Sequence, residues 1–200
     1  MNLHTIAQHS FELDRLPERP WVLDVGSRAF AFTNGMRALR PGAFIFAMEP
    51  DPTIETTAGC FLIRKALVGD DRTESRYASY STGEGNFLTD AESYHDAEMF
   101  TVECTNIEKL MQWLGRPHWD LVKLDCEGSE FQILENWPGP IATQISVEFH
   151  DWDRREKYPE SYYHRLFAQL GKMGYRVVQH ELSIQGVGLG HWDSLLVLEV

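Results

Sequence analysis

The sequence has few cysteines and no long hydrophobic run. Cys60, Cys104 and Cys126 are an odd number and lack the CxxC spacing of metal sites, so a disulfide framework is not expected and a reducing compartment is favoured. Nowhere do about 18 apolar residues follow one another, and residues 1–21 carry charges without an apolar core. We therefore expect no export signal, no membrane span and a cytoplasmic location.

Basic residues are also scarce. The chain has 18 Lys and Arg against 30 Asp and Glu, which gives a formal net charge of −12 and a pI of about 5.0. Such a surface repels phosphate backbones and anionic lipid headgroups. The basic residues are scattered along the chain, so we expect neither a nucleic-acid partner nor a membrane partner.

The overall composition is that of an ordinary globular protein. The chain has 200 residues, of which 43% are hydrophobic and 24% charged, enough for one well-packed core. We expect a single domain over residues 1–200. The sequence leaves the oligomeric state open.

Short β-rich runs alternate with helical stretches, the pattern of a parallel sheet covered by helices. The expected strands are residues 21–26, 43–48, 61–68, 120–125 and 143–149, with a terminal hairpin of 175–182 and 194–200. We therefore predict an α/β fold with a doubly wound, mostly parallel seven-stranded sheet of the Rossmann-like type and a C-terminal antiparallel hairpin.

The segments between these strands carry helix signals. Helices are expected from residue 33 or 34 to 39, from 107 to 114 after the capping residue Asn106, from 129 to 136 and from 161 to 173. The Pro50-Asp51-Pro52 segment is expected to open a further helix. The polar residues 69–96 predict a hairpin or lid, followed by a short strand at 99–104.

Two residues after the first strands indicate a nucleoside site. Ligands of open α/β sheets bind at the carboxyl ends of the strands. Gly26 permits a tight turn after the first strand, where backbone N–H groups could approach a ligand and Asp24 could accept a hydrogen bond. Glu49, 23 residues beyond Gly26, ends the second strand and could accept hydrogen bonds from ribose hydroxyls.

Acidic residues collect after the fourth and fifth strands. Asp125 and Glu127 follow one strand, and Glu148 and His150 end the next. Neighbouring strands would bring these groups to one edge, where like charges repel unless a cation or a proton is shared. A sulfonium is one such cation. A divalent metal, Mg²⁺ or Mn²⁺, is a second possibility that we do not predict.

A histidine beside carboxylates can act as a general base, so His150 is the candidate for proton removal from a hydroxyl. The alternative is a hydrogen-bonded core histidine. The other histidines lack a partner ligand four residues away, so no zinc site is predicted. They are His4, His9, His95, His118, His164, His180 and His191.

Three stretches together give the chain a family resemblance. They are VLDVGSR at 22–28 with AMEPDP at 47–52, DLVKLDCEGSEFQIL at 120–134, and ISVEFH at 145–150. In order and spacing they resemble the FkbM family of S-adenosylmethionine-dependent methyltransferases, which has the class I fold. Members commonly methylate oxygen atoms of sugars, polyketides or related metabolites, so a small-molecule or glycan acceptor is implied.

The resemblance also implies roles for individual residues. Asp125 and Glu127 would face the methyl group and the substrate, with Asp125 also contacting the cofactor. The other implied cofactor residues are Asp24, Gly26, Ser27 and Arg28 at the methionine part, Glu49 and Pro50 at the ribose, and Lys65 and Ala66 at the adenine.

The chain departs from the family pattern at the first turn, where Arg28 and Phe30 replace glycines. Phe30 could press on the cofactor or fill the core. A catalytically silent binding or scaffold protein on the same fold is therefore an alternative. An NAD-dependent oxidoreductase would need a GxGxxG turn, which the first strand lacks.

Overall fold

The structure is a computed structural model that describes residues 2–81, 86–150, 160–185 and 189–199. Its strands are β1 (Leu3–Ile6), β2 (His9–Glu12), β3 (Trp21–Val25), β4 (Phe44–Met48), β5 (Phe61–Ile63), β6 (Ala66–Leu67), β7 (Glu74–Tyr80), β8 (Phe87–Thr89), β9 (Ala97–Thr105), β10 (Leu121–Leu124), β11 (Gln144–Phe149), β12 (Tyr175–Gln185) and β13 (Leu189–Leu198). Its helices are α1 (Ala31–Leu39), α2 (Ile107–Leu114), α3 (Glu130–Glu135) and α4 (Glu160–Lys172), with a 3₁₀ turn at Leu13–Arg15. No helix in these described ranges is both long and apolar enough to cross a bilayer.

The main sheet has seven strands in the order β12-β13-β11-β10-β3-β4-β5. The pairs from β11 to β5 are parallel, whereas β13 runs antiparallel to both of its neighbours. The predicted seven-stranded, mostly parallel α/β sheet is confirmed. Its strand order reverses at the β3/β10 pair, because the chain builds outward from β3 to β5 and then returns to β10.

The two faces of the sheet are covered differently, because successive side chains of a strand point to opposite faces. On one face Leu23 and Val25 pack with α2, α3 and α4 in the larger core cluster. On the other face Val22 packs with α1 and with Phe11 of β2. The doubly wound prediction placed helices on both faces, and the β1–β2 hairpin is an additional layer that covers part of the second face.

This N-terminal hairpin is attached to the sheet by reciprocal hydrogen bonds. The backbone N–H of Glu12 donates to the side-chain carbonyl of Gln144 at 2.7 Å, and the Gln144 amide donates to the Glu12 carbonyl at 3.0 Å. Phe11 is fully buried. The hairpin is therefore part of the core, although the sequence reasoning assigned no element to it.

A second sheet, in the order β6-β9-β7-β8, is formed by strands from the middle of the sequence. Its β7–β8 pair is antiparallel, so the hairpin prediction for residues 69–96 is confirmed, with 82–85 outside the described residues. The predicted strand over 61–68 is instead divided in two. A turn in which the Lys65 N–H donates to the Ile63 carbonyl directs β6 into this second sheet.

The predicted helix at Pro50-Asp51-Pro52 is wrong. The Asp51 carboxylate accepts hydrogen bonds from the N–H and the hydroxyl of Thr53 at 2.8 and 2.6 Å, as an N-cap would, but no helix follows. Thr53, Thr56 and Thr57 are poor helix formers. By contrast, α2 spans the predicted residues and begins after Asn106, whose side chain accepts from the Lys109 N–H at 2.9 Å.

Candidate functional site

A cavity opens at the carboxyl ends of β3, β4 and β10, where the strand order reverses. This is the usual ligand position in open α/β sheets. Tyr77, Phe87 and Leu88 of the β7–β8 hairpin also line it. The predicted site residues on its wall are Gly26, Arg28, Glu49, Pro50, Lys65, Ala66, Asp125 and Glu127.

Gly26 makes the tight turn predicted for it. Its φ is +76°, and a Cβ placed there would lie 1.6 Å from the carbonyl oxygen of Asp125. The Gly26 N–H donates to the Met48 carbonyl at 3.0 Å, which corrects the expectation that this donor faces a ligand. Glycine is needed here because β3 and the end of β10 approach each other closely.

Asp24 and Ser27 do not line the main cavity. The buried Asp24 carboxylate accepts from the Thr33 hydroxyl at 2.7 Å and lies 3.2 Å from the Lys123 amine. The hydroxyl and the N–H of Ser27 both donate to the Met48 carbonyl at 3.2 Å. Their polar groups thus hold the turn together, and their predicted contact with a cofactor stays a prediction.

Glu49 lies at the end of β4 with its carboxylate almost entirely buried against the cavity. Its Oε1 accepts from the Asp51 N–H at 3.0 Å and from the Tyr77 hydroxyl at 3.3 Å. Burial raises the pKa of Glu49 despite these hydrogen bonds. A ligand donor at this carboxylate would offset part of the cost of its burial.

Arg28 is anchored beside Glu49 by a second carboxylate. Its guanidinium donates to Asp51 Oδ2 at 2.6 Å, and Ser79 donates to the same oxygen at 2.8 Å. Burial works to raise the pKa of Asp51, but hydrogen bonds from Thr53, Arg28 and Ser79 prevail and lower it to about 2. Arg28 therefore takes part in a fixed ion pair at the cavity wall, which the sequence reasoning missed.

Phe30 fills the core beside the cavity. Its ring is buried and lines a neighbouring hollow together with Asp24, Ser27 and Lys123. It is not among the residues that line the main cavity. Its φ of +52° is in the left-handed region, a conformation that glycine adopts without steric cost.

Four carboxylates surround the His150 imidazole at the adjoining ends of β10 and β11, and we call this group the acidic cluster. The Nε2 atom lies 3.3 Å from Glu148, 3.5 Å from Glu127 and 3.9 Å from Asp125, and Nδ1 lies 3.0 Å from Glu130. The prediction that neighbouring strands gather these acids at one edge is confirmed by the parallel pairing of β10 with β11.

Glu130 organises the turn that carries two of these acids. Its fully buried carboxylate accepts from the N–H groups of Cys126 at 2.7 Å and Gly128 at 2.8 Å. Between them, Glu127 has a φ of +53°, a left-handed conformation that costs a non-glycine residue roughly 1–2 kcal/mol. Such strain is typical of residues held in place for a function.

The cluster raises the pKa of both His150 and Glu127, which favours the charged form of the ring but the neutral form of the carboxyl group. Burial disfavours the charged His150 ring, but Glu130, Glu148 and Glu127 outweigh burial and raise its pKa well above the usual value. Burial raises the pKa of Glu127 to about 7 in spite of the opposing charge of His150. At neutral pH the ring is therefore protonated, whereas Glu127 is poised to gain or lose a proton.

Lys123 is the first functional candidate that the sequence reasoning missed. Its buried amine donates to the carbonyls of Val25 and Gly26 at 3.1 and 2.8 Å and lies 3.1 Å from Asp125 Oδ2. Because residues two apart on a strand share a face, the Lys123 and Asp125 spacing was a usable signal for this pair.

His9 is the second. It was set aside because it has no ligand partner nearby in the sequence, yet β2 places its ring, 2% exposed, within 3.5 Å of Asp125 and 3.8 Å of Glu148. These partners are more than a hundred residues away, so no local spacing could have found them.

Solved structures share this fold at low sequence identity. The fibrillarin pre-rRNA processing protein of Methanococcus jannaschii has a TM-score of 0.56 and 12% identity, covering 94% of this chain and 70% of its own. A chain of a fibrillarin/Nop5p complex has a TM-score of 0.54 and 10% identity, covering 92% and 75%. The methyltransferase FkbM of Methylobacillus flagellatus KT has a TM-score of 0.49 and 9% identity, covering 88% and 44%.

At these identities the first two structures show the fold alone. Among curated proteins, none matches the sequence significantly. The family model described as "Methyltransferase FkbM domain" matches residues 24–177, which include the turn after β3, the cavity wall and the acidic cluster. Since this match covers more than half of the sequence, the chain belongs to the FkbM methyltransferase family.

Proposed function

We propose that this protein transfers a methyl group from S-adenosylmethionine to an oxygen atom of a sugar or small metabolite. The observation that carries the proposal is the position of Glu127, which borders both the cavity at the strand switch point and the acidic cluster. A cofactor site and a proton-accepting group thus share one wall.

The residues on the cavity wall fit this cofactor. The Glu49 carboxylate suits ribose hydroxyls, and Tyr77 with the Asp51 N–H orients it from behind. The Phe87 and Leu88 side chains offer an apolar surface for an adenine ring, beside Lys65 and Ala66. When bound, S-adenosylmethionine supplies an electrophilic methyl group on a positively charged sulfur, a charge that the carboxylates of Asp125 and Glu127 would stabilise.

Glu127 is the better candidate for the general base, although the sequence reasoning favoured His150. A base works best when its pKa is close to the working pH, as is the pKa of about 7 of Glu127. The protonated His150 ring has no lone pair with which to accept a proton. We assign His150 the role of a positioning residue, whose positive charge limits the rise in the Glu127 pKa.

The charge of the protein favours a small acceptor. The net charge of −12 and the carboxylates at the cavity would repel a polyanion, whereas a neutral hydroxyl compound meets no such barrier. Fibrillarin, described as a pre-rRNA processing protein, has the same fold, so RNA is included as a competing acceptor in the test.

The decisive experiment combines cofactor binding with methyl transfer. Titration calorimetry with S-adenosylmethionine should give saturable heat for the wild type and about tenfold or weaker binding for Glu49→Gln, because a charge-assisted hydrogen bond contributes about 1.5–3 kcal/mol. Glu55→Gln, an exposed residue in the following loop, is the matched control and should bind as the wild type does.

A screen with tritiated methyl donor over glycans, small hydroxyl metabolites and RNA then identifies the acceptor. Label on a small hydroxyl compound supports the proposal, and label on RNA alone overturns its substrate class. Saturable cofactor binding without transfer to any acceptor would favour the silent binding protein. No binding and no thermal shift would remove the cofactor itself, because a ligand of the native state must stabilise it.

A further inference from the structure

The β1–β2 hairpin brings an imidazole to two carboxylates on the sheet. His9 Nε2 lies 3.5 Å from Asp125 Oδ2 and 3.8 Å from Glu148 Oε2, and these three donor atoms lie within 4.8 Å of one another. The hairpin precedes the family match, which begins at residue 24. His9 therefore lies outside the matched segment, whereas Asp125 and Glu148 lie within it.

The His9 ring is buried without a hydrogen bond at the atom that faces the acids. The side chain is 1% exposed, and Nε2 has no hydrogen-bond partner. A buried polar atom in that state costs about 1–3 kcal/mol unless something satisfies it. The unpartnered nitrogen, aimed at two carboxylates, is the observation that points to a ligand between them.

The other ring nitrogen is held as in metal-binding histidines. Nδ1 lies 3.4 Å from the Ser146 hydroxyl on β11. When Nδ1 donates a hydrogen bond to an oxygen, the lone pair on Nε2 is free to bind a cation, and ligating histidines are commonly oriented in this way. In that tautomer, and without a cation, the Nε2 lone pair would face the negative charge of Asp125 and Glu148.

The distances fit one small divalent ion. Ligand atoms about 2.1 Å from a central ion lie roughly 3.0–4.2 Å apart, depending on the angle between them. The His9 to Asp125 and His9 to Glu148 distances of 3.5 and 3.8 Å are within that range. The third pair, Asp125 with Glu148, lies within 4.8 Å, so these two carboxylates would have to approach each other by about 0.6 Å at most.

We propose that His9, Asp125 and Glu148 form a binding site for a divalent transition metal ion, Mn²⁺ or Zn²⁺ rather than Mg²⁺. One imidazole with two carboxylates is a mixed nitrogen and oxygen donor set, which suits Mn²⁺ and Zn²⁺, whereas Mg²⁺ prefers oxygen ligands. The site borders the cavity wall at Asp125, where an ion could hold an acceptor oxygen. Ion binding itself does not depend on the proposed methyl transfer.

The Lys123 amine, 3.1 Å from Asp125 Oδ2, competes with the ion for this oxygen. Three further groups moderate that competition, because the Lys123 amine also contacts two backbone carbonyls and the Asp24 carboxylate. The Asp125 carboxylate has lone pairs for both partners. We therefore expect moderate affinity.

The test uses the full chain, freed of metal with a chelator and titrated with MnCl₂ while electron paramagnetic resonance follows free Mn²⁺. We expect saturable binding of one ion per chain, displacement by ZnCl₂ and little displacement by MgCl₂. His9→Gln and Glu148→Gln should each weaken binding by about tenfold or more. His95→Ala, which removes an imidazole whose side chain is 90% exposed, is the control and should bind as the wild type does.

A thermal-shift measurement distinguishes a loss of ion binding from a loss of folding. Wild type and His95→Ala should gain stability with MnCl₂, whereas folded His9→Gln and Glu148→Gln should gain none. The proposal is overturned if Mn²⁺ and Zn²⁺ show no saturable binding, or if both substitutions leave the affinity unchanged. These titrations contain no S-adenosylmethionine, so their failure is distinct from a failure of cofactor binding.

Discussion

The side-chain amine of Lys123 lies 3.1 Å from the carboxylate of Asp125, two residues further along the same chain. Asp24 lies 3.2 Å from the same amine. Burial alone would lower the pKa of Lys123, but the two carboxylates raise it above the usual value, so the amine stays charged. This ion pair joins the ends of β3 and β10 directly below the cavity.

Lys123→Met should destabilise the protein strongly, because it leaves two carboxylates without their buried counter-ion. Breaking such a pair costs about 3–5 kcal/mol, and urea denaturation would measure the change in the free energy of unfolding. Lys109→Met is the control, since its amine is 48% exposed and 2.8 Å from Asp71, a type of pair that contributes about 0–1 kcal/mol. Equal effects of the two substitutions would contradict the structural role of Lys123.

Gly26→Ala should be destabilising by more than about 1 kcal/mol, because the new Cβ would meet the Asp125 carbonyl in a left-handed backbone. Gly171→Ala in α4 provides the matched comparison. A Cβ there meets nothing within 4 Å, and alanine is favoured over glycine in a helix by up to about 1 kcal/mol. Thermal unfolding should therefore show Tm shifts of opposite sign, and a harmless Gly26→Ala would argue against the close approach of β3 and β10.

Glu127 should make stability depend on pH in a defined direction. Its pKa is raised from 4.5 to about 7 by burial, so the folded state binds its proton more tightly than the unfolded state. That contribution is fully present below pH 4.5 and is lost as the pH rises through about 7. Glu127→Gln lacks the titration, so its stability relative to the wild type should be higher at pH 8 than at pH 5. Glu135→Gln, exposed on α3, should show no such trend.

The same carboxyl group should set the pH profile of methyl transfer. If Glu127 accepts the proton, kcat/KM should rise with pH and level off above about 7, and Glu127→Gln should lower turnover by about 100-fold or more. Cofactor affinity, measured by calorimetry, should change far less than turnover. A flat profile together with full turnover in Glu127→Gln would exclude Glu127 as the base.

The turn of the N-terminal hairpin leaves room for stabilisation. Ala7 and Gln8 have φ values of 47° and 69°, the positive values of a two-residue type I′ turn, which favours Asn and Gly. Ala7→Asn should raise the free energy of unfolding by about 0.5–1 kcal/mol, and the β-branched Ala7→Val should lower it. Differential scanning calorimetry of the two variants would check the sign, and an unchanged Tm in both would mean that the turn relaxes at no cost.

Much of the fold could be predicted because its signals are local. Apolar runs ending in turn residues located β3, β4, β10 and β11, and the capping residue Asn106 located the start of α2. The rule that ligands bind at the carboxyl ends of strands then placed Glu49 and Asp125 at one cavity. The error at Pro50 arose because a capping carboxylate signals the start of a helix without telling whether the following residues continue it.

The parts that escaped prediction depend on contacts between distant residues. Nothing near His9 in the sequence indicates Asp125 or Glu148, and the protonation of His150 follows from four carboxylates that meet only in the folded sheet. Glu127 replaces His150 as the proposed general base for the same reason, because these carboxylates keep the His150 ring protonated. The histidine side chain suggested a general base at this position, but whether His150 carries a proton depends on the carboxylates around it.

The attachment of the β1–β2 hairpin has a practical consequence for defining the domain. A chain shortened to start near residue 20, just before the matched segment, would lose the buried Phe11 ring and would leave the Gln144 amide without its partners on Glu12. The matched segment and the unit that folds therefore have different boundaries in this protein. Recombinant versions trimmed to the family match should be expected to aggregate, because they would expose the side of the sheet that the hairpin covers.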